Sequence, residues 1–358
     1  MLSNETVQLV VALSALILVH ELGHFIAARL VRVRVEEFGL GYPPRALTLF
    51  ERNGTRYTLN WLPLGGFVRL KGEMEEDGDP DSLHSANPWA RLLIFLAGPV
   101  MNLLAAAALY AMIFLQIGAP DVQRVLVTET DPGSPAETAG LLPGDIITAV
   151  NDQPVRGMND LHDKIYAHLG VPITLTVQRE AETLQFELVP RENPPEGEGA
   201  IGIAMSNPLI PVGLHQAIPL GFVATYGSAQ MLLSLPGDIL AGRIAPEAAR
   251  PVGLKGMRDA LKYANQLELP EEAADAPFNV NVLGFFAWIS VTLGIVNLLP
   301  IPALDGGRIA LLLPEIVLRR RIPLKWQNAV IAITFAALVA LMVYINLLDF
   351  IDPLTLPQ

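Results

Sequence analysis

The stretch His20-Glu21-Leu22-Gly23-His24 lies inside an apolar run from Val7 to Val31. On a helix, residues four apart share a face, so the two imidazoles would lie side by side. Two neutral imidazoles can hold one zinc ion, and the intervening Glu21 can act as the general base for an attacking water. The pattern predicts a zinc site; the alternative is a helix whose polar groups only hydrogen-bond to neighbouring helices.

The composition indicates a membrane protein. Of the 358 residues, 51% are hydrophobic and only 17% are charged, whereas about a quarter is usual in soluble domains. The mean hydropathy is +0.40. The chain has no cysteine, so any metal must be held by His and carboxylate groups. The net charge of −12 argues against a nucleic-acid partner, whose phosphates would repel it.

Four apolar runs are long enough to cross a bilayer, for which about 20 residues suffice. We therefore predict an α-helical polytopic membrane protein with four transmembrane helices. The runs are Val7–Val31, Leu92–Ile117, Val282–Leu299 and Asn328–Leu348. A further apolar stretch, Leu209–Leu240, contains Pro211, Pro219 and Pro236. The prolines disfavour one straight span and predict a surface-lying amphipathic segment instead.

Charge in the loops predicts the orientation. The loop 305–325 carries five Lys/Arg against two Asp/Glu, and 118–280 carries ten against 21. Because short loops rich in Lys and Arg stay in the cytoplasm, we expect 118–280 and both termini outside. His20 and His24 would then lie near the cytoplasmic side.

A catalytic zinc site usually has three protein ligands. Asp305, in Asn297-Leu-Leu-Pro-Ile-Pro-Ala-Leu-Asp305, is the favoured third ligand because it follows a proline-broken stretch at membrane depth. His84 lies in the cytoplasmic loop, and its location alone leaves it as an alternative third ligand. The alternative role for Asp305 is a helix N-cap before Gly306.

Residues 120–205 predict an inserted α+β domain, with strands, short helices and turns in alternation. The piece Gly133–Ile147, followed by Val150-Asn-Asp-Gln-Pro-Val155, resembles a PDZ domain. The resemblance implies a groove that accepts an extended peptide by β-augmentation. We place that groove between a strand at Val125, Leu126 and Val127 and a helix at Met158–Leu169; the alternative is a domain that only blocks access.

HELGH in the first span, together with NLLPIPALDGG in a late span, resembles the site-2 protease family of intramembrane zinc metalloproteases. A single PDZ domain between four spans is similar to the bacterial regulator-of-sigma-E protease branch, whose best-known enterobacterial members carry two. The resemblance implies one Zn²⁺ per chain on His20, His24 and Asp305, with Glu21 as catalytic base.

The same resemblance implies substrate-positioning groups. Pro63–Glu73 is similar to the family's membrane-reentrant β-hairpin, placed here at about 60–73. Its candidates are Gly65, Gly66, Phe67 and Val68; the alternative is an ordinary cytoplasmic hairpin. Gly98-Pro-Val-Met-Asn102 is similar to the second-span motif. Asn102 and Asn297 are the amide candidates, with simple packing as the alternative for Asn102.

The expected organisation is a membrane core in two halves, 1–118 and 281–358, with a PDZ domain at 119–206 and an amphipathic or linker region at 207–280. The expected function is hydrolysis of single-span membrane proteins in a bacterial inner membrane. Resemblance suggests anti-sigma factors after a first cut, or signal-peptide remnants, as substrates. Membrane lipid is an expected partner. The rival hypotheses are a non-catalytic PDZ-bearing scaffold and a metal transporter.

Overall fold

The computed structural model describes residues 4–73, 78–195, 197–245, 250–269, 273 and 276–353. The chain divides into two compact units. One combines Met1–Gln116 with Gly213–Gln358, and the other is Ile117–Val212. The second unit spans nearly the same residues as the predicted inserted domain. Within the predicted amphipathic or linker region 207–280, residues 246–249, 270–272, 274 and 275 lie outside the described residues.

The first unit is mainly helical. Among the described residues, five of its helices are long and apolar enough to cross a membrane. They are α1 (Asn4–Leu30), α2 (Pro88–Ile117), α5 (Leu214–Leu240), α7 (Val280–Asn297) and α9 (Leu324–Ile351). Two shorter helices are α6 (Leu254–Gln266) and α8 (Asp305–Leu318). The four predicted runs coincide with α1, α2, α7 and α9, but α5 means that a count of four spans is not confirmed.

Helix α5 is one continuous helix, although the prolines were expected to disfavour a single straight span. It is helical from Leu214 to Leu240 although Pro219 and Pro236 lie inside it. Each proline removes one backbone hydrogen bond and can bend a helix without ending it. Close packing compensates here, because a Cβ on Gly221 would lie only 2.2 Å from the Ala107 carbonyl oxygen of α2.

Small residues bring α1 against α2. A Cβ at Gly23 would lie 2.3 Å from the carbonyl oxygen of Ala97, so the two backbones touch there. Ala27 and Ala28, one turn further along α1, are buried in a cluster that includes Ile94 and Phe95 of α2. This contact brings the His20–His24 turn of α1 directly against α2.

Two long strands, β1 (Val35–Arg52) and β2 (Thr55–Leu70), connect α1 to α2. They pair as an antiparallel hairpin whose turn contains Asn53 and Gly54, both at positive φ. The predicted hairpin at about 60–73 is therefore wrong in extent, since most of that stretch is the end of one strand. Gly39 of β1 pairs with Phe67 on one side and with Thr58 on the other, so two parts of β2 lie on either side of the start of β1. Residues 66–70 are the last stretch of this sheet.

The second unit contains a six-stranded sheet in the order β8-β7-β5-β4-β9, with β6 also paired to β5. The strands of this unit are β3 (Ala119–Pro120), β4 (Val125–Thr130), β5 (Ile146–Val150), β6 (Gln153–Pro154), β7 (Ile173–Arg179), β8 (Glu182–Leu188), β9 (Ile203–Ser206) and β10 (Leu209–Ile210). Its helices are α3 (Pro135–Ala139) and α4 (Met158–Tyr166).

Local sequence explains these elements. Ser134 caps α3 by accepting the Glu137 N–H at 3.1 Å. Asn151 and Asp152 both adopt positive φ in the tight turn between β5 and β6, a conformation these residues tolerate well. Alternate residues of the central strands, such as Val125 and Val127, are completely buried in the core of this unit.

The predicted peptide groove along Val125, Leu126 and Val127 is contradicted by the strand order. Leu126 pairs with Ile146 of β5 on one side and with Ser206 of β9 on the other. Strand β4 therefore has no free edge to which a peptide could add. On this side of the sheet, among the described residues, the edge strand is β9.

Candidate metal centre

Three side chains from two distant parts of the chain converge beside α2. The Nε2 atoms of His20 and His24 lie 3.1 Å apart. Asp305 Oδ2 lies 3.1 Å from the first and 3.4 Å from the second. The two histidines are buried, at 8% and 9% exposure. These three residues form the group of potential metal ligands found among the described residues.

The spacing of the three atoms suits a tetrahedral ion. Ligand atoms held at about 2.05 Å from such an ion lie about 3.3 Å from one another. The observed separations of 3.1, 3.1 and 3.4 Å match one triangular face of that tetrahedron. Two imidazoles and a carboxylate are also a known donor set for zinc, with the fourth position left open.

Each imidazole has a second partner that sets its orientation. His24 Nδ1 donates to the carbonyl oxygen of Ile94 at 2.7 Å, which leaves Nε2 with a lone pair for a metal. His20 Nδ1 lies 3.2 Å from the side-chain nitrogen of Asn102. Among the described residues, the buried Oδ1 of Asn102 has no hydrogen-bond partner. Metal binding through His20 Nε2 would put the ring proton on Nδ1, and a half-turn of the Asn102 amide would bring Oδ1 to accept it.

Glycines make the close approach of these elements feasible. A Cβ on Gly98 of α2 would lie 2.4 Å from His24 Nε2 and 2.7 Å from His20 Cε1. Gly306 and Gly307 allow the tight turn before α8, because a Cβ on either would fall within about 2.2 Å of a backbone carbonyl oxygen. Any larger side chain at these three positions would therefore displace either a potential ligand or the turn that presents Asp305.

Two glutamates border the site. Glu21 Oε2 accepts the backbone N–H of Val68 at 3.1 Å. Glu73 Oε2 accepts the N–H of Leu70 at 3.3 Å, and its Oε1 accepts from Arg308 Nη1 at 2.5 Å. The end of β2 is thus tied to α1 by one carboxylate and, through Arg308, to α8 by the other.

A cavity of about 450 Å³ opens beside the three potential ligands. Helix α9 contributes four apolar residues to its lining, and α1 and α8 contribute most of the charged and imidazole groups. The lining residues are His20, Glu21, His24, Tyr42, Phe67, Val68, Leu70, Glu73, Ile94, Phe95, Asn297, Ala303, Leu304, Asp305, Arg308, Phe335, Leu338, Val339 and Met342.

Some of the other predicted site residues line this cavity and others do not. Phe67, Val68 and Asn297 line it, whereas Asn102 contacts His20 and is not among the lining residues. A Cβ on Gly65 would lie 2.8 Å from Ile17 Cγ2 and one on Gly66 3.2 Å from Leu18 Cδ1, so both glycines pack β2 onto α1.

The positions of His84 and Asp305 in the structure distinguish between the alternatives for the third ligand. His84 lines a different cavity, of about 310 Å³, and is not part of the ligand group. The N-cap of α8 is Leu304, so Asp305 is the first helical residue rather than the cap. The Asp305 carboxylate is directed at the two imidazoles.

Sequence reasoning missed several neighbours of the site. Glu73 lies within the predicted hairpin and Arg308 follows the Asp305-Gly-Gly turn, but no periodic pattern connects two residues so far apart. The α9 residues Phe335 and Val339 read only as part of an apolar span. For Gly98, the sequence offers the motif but not the contact that requires it.

Comparisons with known proteins agree with this geometry. The sequence profile of peptidase family M50 matches residues 8–341. A protein of Clostridium perfringens that is named as a zinc metalloprotease is 34% identical over 343 residues, covering 96% of this chain and 97% of its own. A protein of Clostridium acetobutylicum with the same kind of name is 30% identical over 348 residues, covering 96% and 97%. Metalloprotease MmpA of Caulobacter vibrioides is 27% identical over 371 residues, covering 94% and 93%.

Proposed function

The chain belongs to peptidase family M50, and from this premise we propose that it cuts single-span membrane proteins inside the bilayer or at its cytoplasmic edge. It is a zinc metalloprotease and a multi-pass membrane protein. The scaffold and transporter hypotheses are set aside for that reason. The proposal depends chiefly on one observation, the convergence of the His20, His24 and Asp305 ligand atoms beside an apolar helix.

In this proposal His20, His24 and Asp305 hold the zinc ion. When bound, the ion supplies a Lewis acid that polarises the scissile carbonyl group. Glu21, which lines the same cavity, takes a proton from the attacking water and passes it to the leaving amine. The Asn297 amide, also in the cavity, can hydrogen-bond to the substrate backbone and orient it.

The substrate must be extended before it can react. The peptide bonds of a membrane helix are shielded by their own hydrogen bonds, so the segment has to unwind locally. The end of β2 supports this step because residues 66–70 form the last stretch of the hairpin sheet, next to the ligands. An unwound segment could pair with that edge and be held straight across the cavity.

The course of α1 and α7 supports four spans rather than five. Leu9 and Leu16 of α1 pack in one cluster with Val282 and Phe286 of α7, and the two C-terminal ends lead to the converging ligands. The two helices therefore run in the same direction, which requires an even number of crossings from the start of α1 to the start of α7. Helices α1 and α2 supply two, so α5 would lie in the membrane surface.

With four spans, both termini and the unit Ile117–Val212 lie outside a bacterial inner membrane, and the metal site lies toward the cytoplasm. We assign this unit to the PDZ class and place any peptide capture at the free edge of β9. It would act as a filter for pre-cut substrates. Anti-sigma factors after a first cut, or signal-peptide remnants, fit that role, as in the regulator-of-sigma-E protease branch.

The proposal is tested with purified full-length protein and a tagged single-span substrate, with and without a zinc chelator. Glu21→Gln should retain zinc and lower the cleavage rate by about 10²–10⁴-fold, the usual contribution of a general base. Glu36→Gln, at an exposed position of β1, is the matched control and should cleave normally. Full turnover by Glu21→Gln, or chelator-resistant cleavage, would refute the proposed chemistry.

A further inference from the structure

The end of β2 carries two backbone donors that are both occupied by carboxylates. Val68 N–H donates to Glu21 Oε2 at 3.1 Å, and Leu70 N–H donates to Glu73 Oε2 at 3.3 Å. Backbone donors two residues apart point to the same edge of a strand. The two carboxylates therefore cap one edge of this stretch, while β1 pairs with it through Phe38 opposite Val68.

The two caps are held in different ways. Glu73 is anchored on its other oxygen by Arg308, which lies three residues after Asp305 on α8. Glu21 lies one residue after His20 on α1, and its carboxylate faces the same cavity as the potential ligands. Both carboxylates therefore occupy the edge of β2 where this strand lies next to the metal site.

A peptide strand that pairs with this edge needs the same two donors. Its carbonyl oxygens would have to accept from Val68 and Leu70, and each N–H group has a single hydrogen to donate. We infer that Glu21 and Glu73 are displaceable caps, and that pairing by a substrate strand removes both and frees Glu21 to act at the metal site. The inference rests on the proposed function, because it concerns how that same site recognises its substrate.

This exchange makes the base available only when a strand is paired. Without substrate, Glu21 is engaged by the backbone of β2. An intact substrate helix cannot replace it, because its carbonyl groups are already satisfied within the helix. An unwound segment offers free carbonyl groups at the spacing of the edge. The caps would therefore select for an unwound segment.

Binding measurements on inactive enzyme test this directly. Zinc-loaded full-length Glu21→Gln and Glu21→Ala both lack the base, but only the Gln side chain can still accept from Val68. We expect the Ala variant to bind a tagged single-span substrate about three- to tenfold more tightly, the effect of losing one competing hydrogen bond. Adding Glu73→Ala to Glu21→Gln should tighten binding similarly. Glu51→Ala is the matched control, since Glu51 pairs with Arg56 near the turn of the hairpin.

Amide hydrogen exchange provides a readout that is independent of activity and of affinity. In the substrate-free full-length protein, the Val68 amide should exchange faster in Glu21→Ala than in Glu21→Gln. Adding the substrate should restore protection in both variants. Zinc content, measured on the same samples, shows whether either variant has lost the metal site.

The outcomes separate this inference from the proposed function. Chelator-sensitive cleavage by the wild type, with equal affinity and equal Val68 exchange in the two Glu21 variants, would overturn the caps alone. Weaker binding by Glu21→Ala at full zinc content would overturn them as well. A wild type without chelator-sensitive cleavage would remove both the proposed function and the inference built on it.

Discussion

Replacing Gly98 with alanine should disable the metal site without unfolding the helices. The added Cβ would lie 2.4 Å from His24 Nε2 and 2.7 Å from His20 Cε1. Ordinary contact begins at 3.4 Å, so the His24 ring would have to retreat by about 1 Å, whereas metal sites tolerate about 0.2 Å. A parting of α1 from α2 would relieve this contact only by giving up the close backbone packing at Gly23.

We expect the zinc affinity of Gly98→Ala to fall by at least about 100-fold, the upper range seen when partners around a metal site are lost. The assay is zinc bound per chain, measured on full-length protein in chelator-buffered zinc of graded free concentration. Thermal unfolding and helix content of the same samples report on folding. Cleavage of the tagged substrate should fall in parallel with bound zinc.

The matched control is Gly284→Ala on α7. Among the described residues, a Cβ at Gly284 would meet only Ile113 Cδ1, at 3.9 Å, and alanine in a helix is favoured over glycine by about 1 kcal/mol. This variant should bind zinc as the wild type does and melt at the same or a slightly higher temperature. If the zinc titration of Gly98→Ala superimposed on that of the wild type, the placement of the imidazoles against α2 would be wrong.

Two further changes test the surroundings of the site and the second unit. Asn102→Ala removes the amide beside His20 and should weaken zinc binding about 10–100-fold in the same titration; unchanged binding would make Asn102 a packing residue. Asp145→Ala removes the buried partner of Arg179 and should destabilise residues 117–212 by about 1.5–3 kcal/mol, measured by protease protection of the full chain. Burial raises the pKa of Asp145, but the hydrogen bonds from Arg179 and from the Leu142 N–H, together with the charge of Arg179, outweigh burial and hold the pKa below its usual value. The difference from the wild type should therefore be complete at neutral pH and shrink below pH of about 3.9; Asp163→Ala, at an exposed carboxylate, should show none.

Much of the secondary structure could be predicted because it depends on local pattern. The run Val282–Leu299 became α7 (Val280–Asn297), and the run Asn328–Leu348 lies within α9 (Leu324–Ile351). Helix α5 could not be predicted, because its continuity through Pro219 depends on packing against α2, which a local rule about proline does not include. The extent of the β1–β2 hairpin was missed for a related reason, since its pairing joins residues up to 35 positions apart.

Which strand of the second unit has a free edge for peptide pairing also depends on the tertiary structure. A strand through Val125, Leu126 and Val127 was readable, but not which neighbours would pair with it. Strand β9 returns from the end of the domain to cover β4. Hydrophobic alternation fixes which face of a strand is buried, and it carries no information about which strands lie beside it.

The sequence by itself determined the chemical types at the centre: two histidines and a glutamate at helical spacing, and an aspartate after a proline-broken stretch. Only the tertiary structure decided that the aspartate reaches the histidines within 3.1–3.4 Å, that Gly98 leaves room for them, and that Glu21 and Glu73 occupy the edge of β2. The physical reason is that spacing along a helix is set by bonds within one segment. Convergence of segments hundreds of residues apart is set by packing, where one missing Cβ decides whether two backbones can meet.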